Sequence, residues 1–192
     1  MYKRQPAGAT IRLADGMYSV GTITVRRPGV TIRSASGDPS RVILDAAYGP
    51  SALIHSFANK VTVAELTLSR ARDHLVHAYP AEGGPDLSGL RLYRVRMVDS
   101  GEQFLKVNSN AGRNAWVDSG TVACSQFVMT PAGRANIERA FGCYTGGTTC
   151  IRGAAGGCAT ASSRASTART VSWPNTRSTS GRGHAARWWK TT

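Results

Sequence analysis

Short triplets with apolar residues at their first and third positions recur along the chain from Val30 to Met129. Each triplet has the alternating period of a β-strand. The triplets are Val30-Thr31-Ile32, Val61-Thr62-Val63, Leu66-Thr67-Leu68, Leu90-Arg91-Leu92, Val95-Arg96-Met97 and Phe127-Val128-Met129. No sustained helical period of apolar residues, which would indicate amphipathic helices, runs through these segments. The pattern therefore predicts a series of short strands.

The strands themselves repeat at a nearly constant interval. A 29-residue interval leads from Val61 to Leu90, and a looser 32-residue interval leads from Leu90 to Val122. A period of this length is typical of stacked repeats. Three short strands in each repeat predict a β-solenoid of four to five coils, in which each strand pairs with its counterpart in the next coil. The expected corners are Gly37-Asp38-Pro39, Gly83-Gly84-Pro85 and Asp99-Ser100-Gly101, and Asn59 is expected to cap a turn.

The order of these segments also carries a family resemblance. GATIRLADGMYSV, VTIRSASGDPSRVILD, NKVTVAELTLSRARDHLVHA, EQFLKVNSN and CYTGG follow one another over residues 7–147. Together they resemble right-handed parallel β-helix proteins of the pectate-lyase-like superfamily. The resemblance implies an all-β fold, a right-handed parallel β-helix over residues 1–147. It also implies a secreted or periplasmic parent protein that binds or cleaves an acidic polysaccharide. A superfamily of lyases, hydrolases, epimerases and non-catalytic proteins leaves the activity open.

The ends of the chain depart from that family. Family members usually begin with a signal peptide and a capping helix, and neither is recognisable here. We therefore expect a truncated, inactive fragment of a longer parent. Residues 148–192 are basic and poor in Val, Ile and Leu, which predicts a tail of low order. Reading that tail in a frame displaced by one base restores alternating strand patterns, so we expect it to be out of frame. A natural disordered arm is the alternative.

Charge and cysteines narrow the partners only slightly. The formal net charge is +13, and seven of the 24 basic residues, but none of the 11 acidic ones, lie in the tail. A basic tail alone is weak support for nucleic-acid binding, so we expect neither a nucleic-acid nor a membrane partner. Cys124 and Cys143 are the only cysteines for which a disulfide is considered, with two free thiols as the alternative.

The third strand of each coil presents the candidate chemistry. Lys106 sets the side-chain direction, because an unpaired Lys is rarely buried. Lys106 and Asn108 are then expected to point outward, and Leu105 and Val107 inward. The 29-residue repeat places His77 beneath Lys106, and matching LIHS with LVHA places His55 beneath His77. The result is a predicted basic column on the outer face.

Acidic-polysaccharide lyases need a cation to neutralise the uronate carboxylate and a base to remove the C5 proton. We expect Lys106 or His77 to be the base. The 29-residue repeat also places Asp73 beneath Glu102, and the two carboxylates are a possible but incomplete Ca²⁺ site. The substrate-binding candidates are His55, Asn108 and Arg96. The alternative is a non-catalytic structural or surface β-helix, in which the same side chains form ordinary polar ladders.

Overall fold

In a computed structural model the chain forms a parallel β-solenoid of about four turns, which confirms the predicted all-β parallel β-helix. The structure describes residues 5–80, 84–108 and 115–141, together with the backbone of strands at 151–152, 158–159 and 166–172. The elements are β1 Thr10–Leu13, β2 Gly16–Ser19, β3 Ile23–Val25, β4 Thr31–Ser34, β5 Val42–Asp45, β6 Ala52–Ser56, β7 Thr62–Ala64, β8 Thr67–Ser69, β9 His74–Ala78, β10 Leu87–Ser88, β11 Arg91–Tyr93, β12 Arg96–Val98, β13 Leu105–Val107, β14 Val117–Asp118, β15 Thr121–Val128, α1 Pro131–Phe141, β16 Ile151–Arg152, β17 Cys158–Ala159 and β18 Ser166–Ser172.

Each turn contributes one strand to each of three parallel sheets. The first sheet contains β1, β4, β7 and β11, and the second contains β2, β5, β8 and β12. The long strand β15 adds its first half to the first sheet and its second half to the second, which joins them. The third sheet contains β3, β6, β9 and β13. This stacking repeats side chains along the axis at roughly 4.8 Å.

The predicted 29-residue period is confirmed where the third turn meets the fourth. The paired residues are Thr62 with Arg91, Thr67 with Arg96 and Val76 with Leu105. The predicted 32-residue interval from Leu90 to Val122 is wrong, because Val122 pairs with Leu92 instead of Leu90. Leu90 and Leu92 have the same strand parity, so the direction of the Val122 side chain is unaffected, and Val122 is fully buried as expected.

Columns of inward side chains make the core. One column runs through Ile32, Val63, Leu92 and Val122 in the first sheet, and another through Leu44, Leu68 and Met97 in the second. Every residue of these two columns is at most 2% exposed. Because a residue contacts the one directly above it, the core is a stack of layers rather than a single cluster. In the third sheet Val107 is 36% exposed although it lies on buried Ala78, since β13 is the last described strand there.

The corners between sheets are held by residues in the left-handed backbone conformation. Before the first sheet these are Gly8, Gly29, Lys60, Gly89 and Ser119, and between the first and second sheets they are Glu65, Arg94 and Cys124. The backbone N–H of Lys60 donates to the Ser88 carbonyl at 2.7 Å, and that of Glu65 donates to the Tyr93 carbonyl at 2.9 Å. The parallel ladder therefore continues around the corner, which offsets the roughly 1–2 kcal/mol cost of this conformation for a residue other than glycine.

The length of a corner varies from turn to turn while the strands stay in register. Residues 35–41 connect β4 to β5, whereas only residues 65 and 66 connect β7 to β8. Gly37, at φ 76°, lies in the longer connection and confirms a corner expected there. Asn59 caps the next corner as predicted, because its side-chain oxygen accepts the backbone N–H of Ser88 at 2.7 Å. Gly83 lies outside the described residues.

Asp99, Ser100 and Gly101 form the predicted corner that leads into the third sheet. Asp99 has φ 55°, and the N–H of Gly101 donates to the Ala71 carbonyl at 3.1 Å. A Cβ on Gly101 would overlap the carbonyl of Arg72 in the turn below, far inside the 3.0 Å that real Cβ contacts respect. The two coils can approach this closely only because residue 101 has no side chain.

Helix α1 follows β15 and was not predicted from the sequence. Thr130 caps its first turn, because the Thr130 hydroxyl accepts the N–H of Gly133 at 3.1 Å. The Asp99 carboxylate accepts both the N–H and the hydroxyl of Thr130, each at 2.7 Å. Pro131 then occupies the first helical position, where its missing N–H costs nothing. Within the described part of the chain, no helix has the length and apolar character needed to cross a membrane.

Part of the segment predicted to be of low order is described as strand. β18 pairs antiparallel with β15, from Thr121 opposite Ser172 to Phe127 opposite Ser166. The edge of β15 that faces away from the third and fourth turns is thus paired. The sequence STARTVS is rich in β-branched Thr and Val, which suits an edge strand. The predicted reading-frame displacement of residues 148–192 stays a prediction.

Candidate functional site

The third sheet places the predicted basic column in register on its outer face. His55 pairs with His77, and His77 pairs with Lys106. Thr24 lies in the same column one turn before His55. The two imidazole rings stack with centroids 5.0 Å apart and planes inclined by 20°. The column predicted from the repeat is therefore a continuous ladder of side chains in register.

A second column of aromatic residues runs beside the histidines. Phe57 and Tyr79 each follow a column histidine at the next position of the same strand parity, which puts them on the same face. Their ring centroids are 4.8 Å apart, and each contacts its own histidine, at 4.5 Å for His55 and 4.9 Å for His77. All four side chains are half-buried. They form one aromatic surface, which we call the histidine face.

Cations border the histidine face in the first and fourth turns. The Arg26 guanidinium lies over the Phe57 ring, 4.7 Å from its centroid, which is a cation–π contact. Lys106 stands above His77 in the fourth turn. Asn108, just after β13, is exposed, and its backbone N–H donates to the Ala78 carbonyl at 3.0 Å. Asn108 therefore continues the aromatic column with a polar amide above Tyr79.

The two histidines of this face and the neighbouring His74 are held in the neutral state. Burial lowers the pKa of His77 to about 3, and the neighbouring His74, His55 and Lys106 lower that pKa further. Burial likewise lowers the pKa of His74 to about 4 and, together with Arg26, lowers the pKa of His55. Nε2 of His55, Nε2 of His77 and Nδ1 of His74 are buried and have no hydrogen-bond partner among the described residues. At neutral pH these rings are uncharged.

The two carboxylates proposed as calcium ligands are stacked through their backbones but engaged with other side chains. The N–H of Glu102 donates to the Asp73 carbonyl at 2.7 Å. The Asp73 carboxylate contacts Arg72 at 3.2 Å, and a Glu102 oxygen lies 3.7 Å from Nε2 of His74. No group of three or more His, Cys, Asp or Glu side chains in the described residues could hold a metal ion. Since Ca²⁺ takes six to eight oxygen ligands, these residues do not fit a calcium site by themselves.

Arg96 does not lie with the other candidate residues. It belongs to β12 of the second sheet, where it pairs with Thr67 below and Gln126 above, and its side chain is exposed. Arg91 and Arg94 of the same turn are also exposed. The structure thus separates Arg96 from the histidine face.

A groove lies on the outer face of the first sheet, and Arg91 is one of its lining residues. The groove has a volume of about 460 Å³ and is lined by Thr31, Arg33, Thr62, Ala64, Glu65, Arg91, Tyr93, Thr121 and Ala123. Glu65, only 9% exposed, forms an ion pair with Arg33 and contacts Arg94 at 3.7 Å. Tyr93, which also lines the groove, is 40% exposed. The sequence carries a signal for this groove, since the first outward position of each of its four strands is Thr or Arg.

Only one of the two cysteines in the disulfide prediction, Cys124, lies among the described residues. Cys124 is exposed and occupies the left-handed corner in the middle of β15, with φ 51°. Cys143 lies outside the described residues. The disulfide between them stays a prediction.

Comparison with known proteins adds no family. No protein-family model, no curated protein and no solved structure matches this chain. The structure shows the parallel β-solenoid, and the resemblance to the pectate-lyase-like superfamily stays a prediction.

Proposed function

We propose that the protein binds an acidic polysaccharide through the histidine face. The observation that most supports this is a half-buried aromatic surface with a cation in its first and fourth turns, Arg26 and Lys106. Three strand intervals separate those turns, which is about 14 Å along the axis. Aromatic rings stack on the apolar C–H faces of sugars, and guanidinium or ammonium groups pair with carboxylates. A chain of uronic acids has both features.

Binding is better supported than cleavage by His77. A general base works best when its pKa is near the working pH. A His77 pKa of about 3 makes this imidazole a weak acceptor for a carbon-bound proton at neutral pH. Lys106 stays the predicted base if the parent protein performs β-elimination. A non-catalytic surface β-helix remains the second candidate, and the low pKa values of the histidines favour it over the lyase.

The test is calorimetric titration of the full chain with sodium polygalacturonate, with neutral dextran as the comparison. Phe57→Leu removes a ring while keeping apolar volume, and Lys106→Ala removes a charge. We expect each to weaken polygalacturonate binding about tenfold, equivalent to about 1.4 kcal/mol. Lys60→Gly is the matched control, because Lys60 is exposed at a left-handed corner outside the histidine face.

Equal affinity for dextran and polygalacturonate, or unchanged binding in both Phe57→Leu and Lys106→Ala, would contradict the proposal. The same samples report on cleavage, since β-elimination leaves an unsaturated uronide that absorbs in the ultraviolet. Such a signal, lost in Lys106→Ala but kept in Lys60→Gly, would establish elimination in place of binding alone.

A further inference from the structure

We propose that the groove on the outer face of the first sheet is a second, independent binding site, for a sugar chain that carries carboxylate or sulfate groups. The groove spans four strands, β4, β7, β11 and β15, which is about 14 Å along the axis. It lies on a different sheet from the histidine face. The inference therefore goes beyond the proposed function and does not rest on it.

The open faces of Tyr93 create the groove. Tyr93 pairs with Ala64 in the turn below and with Ala123 in the turn above. Small methyl groups on both sides leave the faces of the ring uncovered along the solenoid axis, and the side chain is 40% exposed. An aromatic ring presented in this way offers an apolar surface to the C–H face of a pyranose.

The charges of the groove favour an anionic ligand. Arg33 and Arg94 share the single carboxylate of Glu65, and Arg91 is exposed nearby. Among the residues that line the groove, the two guanidinium groups of Arg33 and Arg91 face the one carboxylate of Glu65, which leaves an excess of one positive charge. Guanidinium groups bind carboxylate and sulfate oxygens in a bidentate geometry, which selects for these groups over neutral sugars.

Hydroxyl groups complete the site. Thr62 pairs with Arg91, and Arg91 pairs with Thr121, so Arg91 stands between two threonines at neighbouring strand positions. Thr31 extends the same column below Thr62. Each hydroxyl offers one donor and two acceptor positions, which matches the hydroxyl groups of a sugar chain running along the column.

A sugar chain fits this groove better than a nucleic acid does. Glu65 in the lining of the groove repels a closely spaced phosphate backbone, and an excess of one positive charge is small for such a polymer. Single-stranded nucleic acids bind through several stacked aromatic side chains, whereas Tyr93 is the one aromatic residue among the described residues that line the groove.

The experiment compares binding of the full chain to sodium polygalacturonate, dextran sulfate, neutral dextran and oligo-dT by calorimetry at one ionic strength. We expect Arg91→Ala and Tyr93→Ala each to weaken binding to one of the two anionic glycans about tenfold. Both residues are exposed, so circular dichroism should be unchanged in these variants. Arg41→Ala is the matched control, since the Arg41 side chain is 62% exposed, lies outside the groove and forms an ion pair with Asp15 at 3.2 Å.

The outcomes separate this site from the histidine face. Loss of binding in Arg91→Ala and Tyr93→Ala, with Arg41→Ala unaffected, supports the groove, and the glycan that responds identifies carboxylate or sulfate as its ligand. Unchanged binding in both groove variants, including the case in which only Phe57→Leu and Lys106→Ala lose affinity, overturns it. Binding to oligo-dT as tight as to the glycans, and equally sensitive to Arg91→Ala, also overturns it in favour of a polyanion site without sugar selectivity.

Discussion

The tightest contact between turns makes a sharp prediction for Gly101→Ala. The added Cβ would overlap the Arg72 carbonyl, so the fourth turn would have to move away from the third by about 1 Å or more, a large share of the roughly 4.8 Å between stacked strands. Three hydrogen bonds cross this corner. They are Gly101 N–H to the Ala71 carbonyl at 3.1 Å, Glu102 N–H to the Asp73 carbonyl at 2.7 Å and the Ser100 hydroxyl to the Asp73 carbonyl at 2.8 Å.

Each of these hydrogen bonds contributes about 1 kcal/mol, so their loss lowers the free energy of unfolding by about 3 kcal/mol. A strained variant that keeps them would lose a similar amount, about 1–3 kcal/mol, through overpacking. The measurement is urea unfolding of the full chain followed by circular dichroism, in which about 3 kcal/mol moves the midpoint by about 1–3 M. Gly21→Ala is the matched control, because a Cβ there meets nothing within 4 Å. We expect that control to be neutral or stabilised by up to about 1 kcal/mol. A midpoint for Gly101→Ala equal to that of Gly21→Ala would refute the close approach of the two turns.

Three further predictions concern the core, the corners and pH. Leu68→Ala leaves a cavity at a fully buried position between Leu44 and Met97. It should lower the free energy of unfolding, measured by urea titration, by about 2–5 kcal/mol. An effect below about 1 kcal/mol would argue against a layered core. Lys60→Gly relieves a lysine in the left-handed conformation at φ 56° and should be neutral or stabilising by up to about 1 kcal/mol. Gly89→Ala places a side chain at φ 72° and should be destabilising by about the same amount. Thermal melts compare the two variants, and the opposite ranking would contradict the corner geometry. His74 and His77 have folded pKa values of about 4 and about 3, below their ordinary value of 6.5, so the unfolded chain takes up protons first and stability should fall as pH drops from 6.5 towards 4. A His77→Gln variant should show a shallower fall in the same chemical unfolding series, and an unchanged slope would contradict the neutral state of His77.

The architecture was predictable because the third and fourth turns have the same length, so that their core positions repeat at a constant interval. The triplets around Val63 and Leu92 stack directly on each other. Their 29-residue interval therefore predicted both the fold and the register of the strands. The same periodicity placed His77 beneath Lys106, and the match of LIHS with LVHA placed His55 beneath His77. Because side chains alternate between the two faces of a strand, the outward direction of Lys106 also predicted which neighbouring side chains point outward.

Other features of the structure could not be predicted because they depend on contacts between turns that the sequence alone does not reveal. Lys60, Glu65 and Arg94 are not turn-forming residues, yet all three take the left-handed conformation, and ladder hydrogen bonds between turns support them there. The predicted site did not include Phe57, although its spacing from His55 puts it on the same outer face. Arg96 was predicted to bind substrate together with His55, but Arg96 lies in the second sheet and His55 in the third.

The unequal corners suit this molecule to carrying foreign loops. Residues 35–41 leave and rejoin the solenoid without disturbing the pairing of β4 with β7 or of β5 with β8. A peptide inserted there would be displayed on a rigid support at the modest entropic cost of a longer closed loop, about 0.6 kcal/mol for each doubling of its length. The same freedom allows descendants of such a chain to acquire new surface loops one turn at a time, while the stacked interior stays as it is.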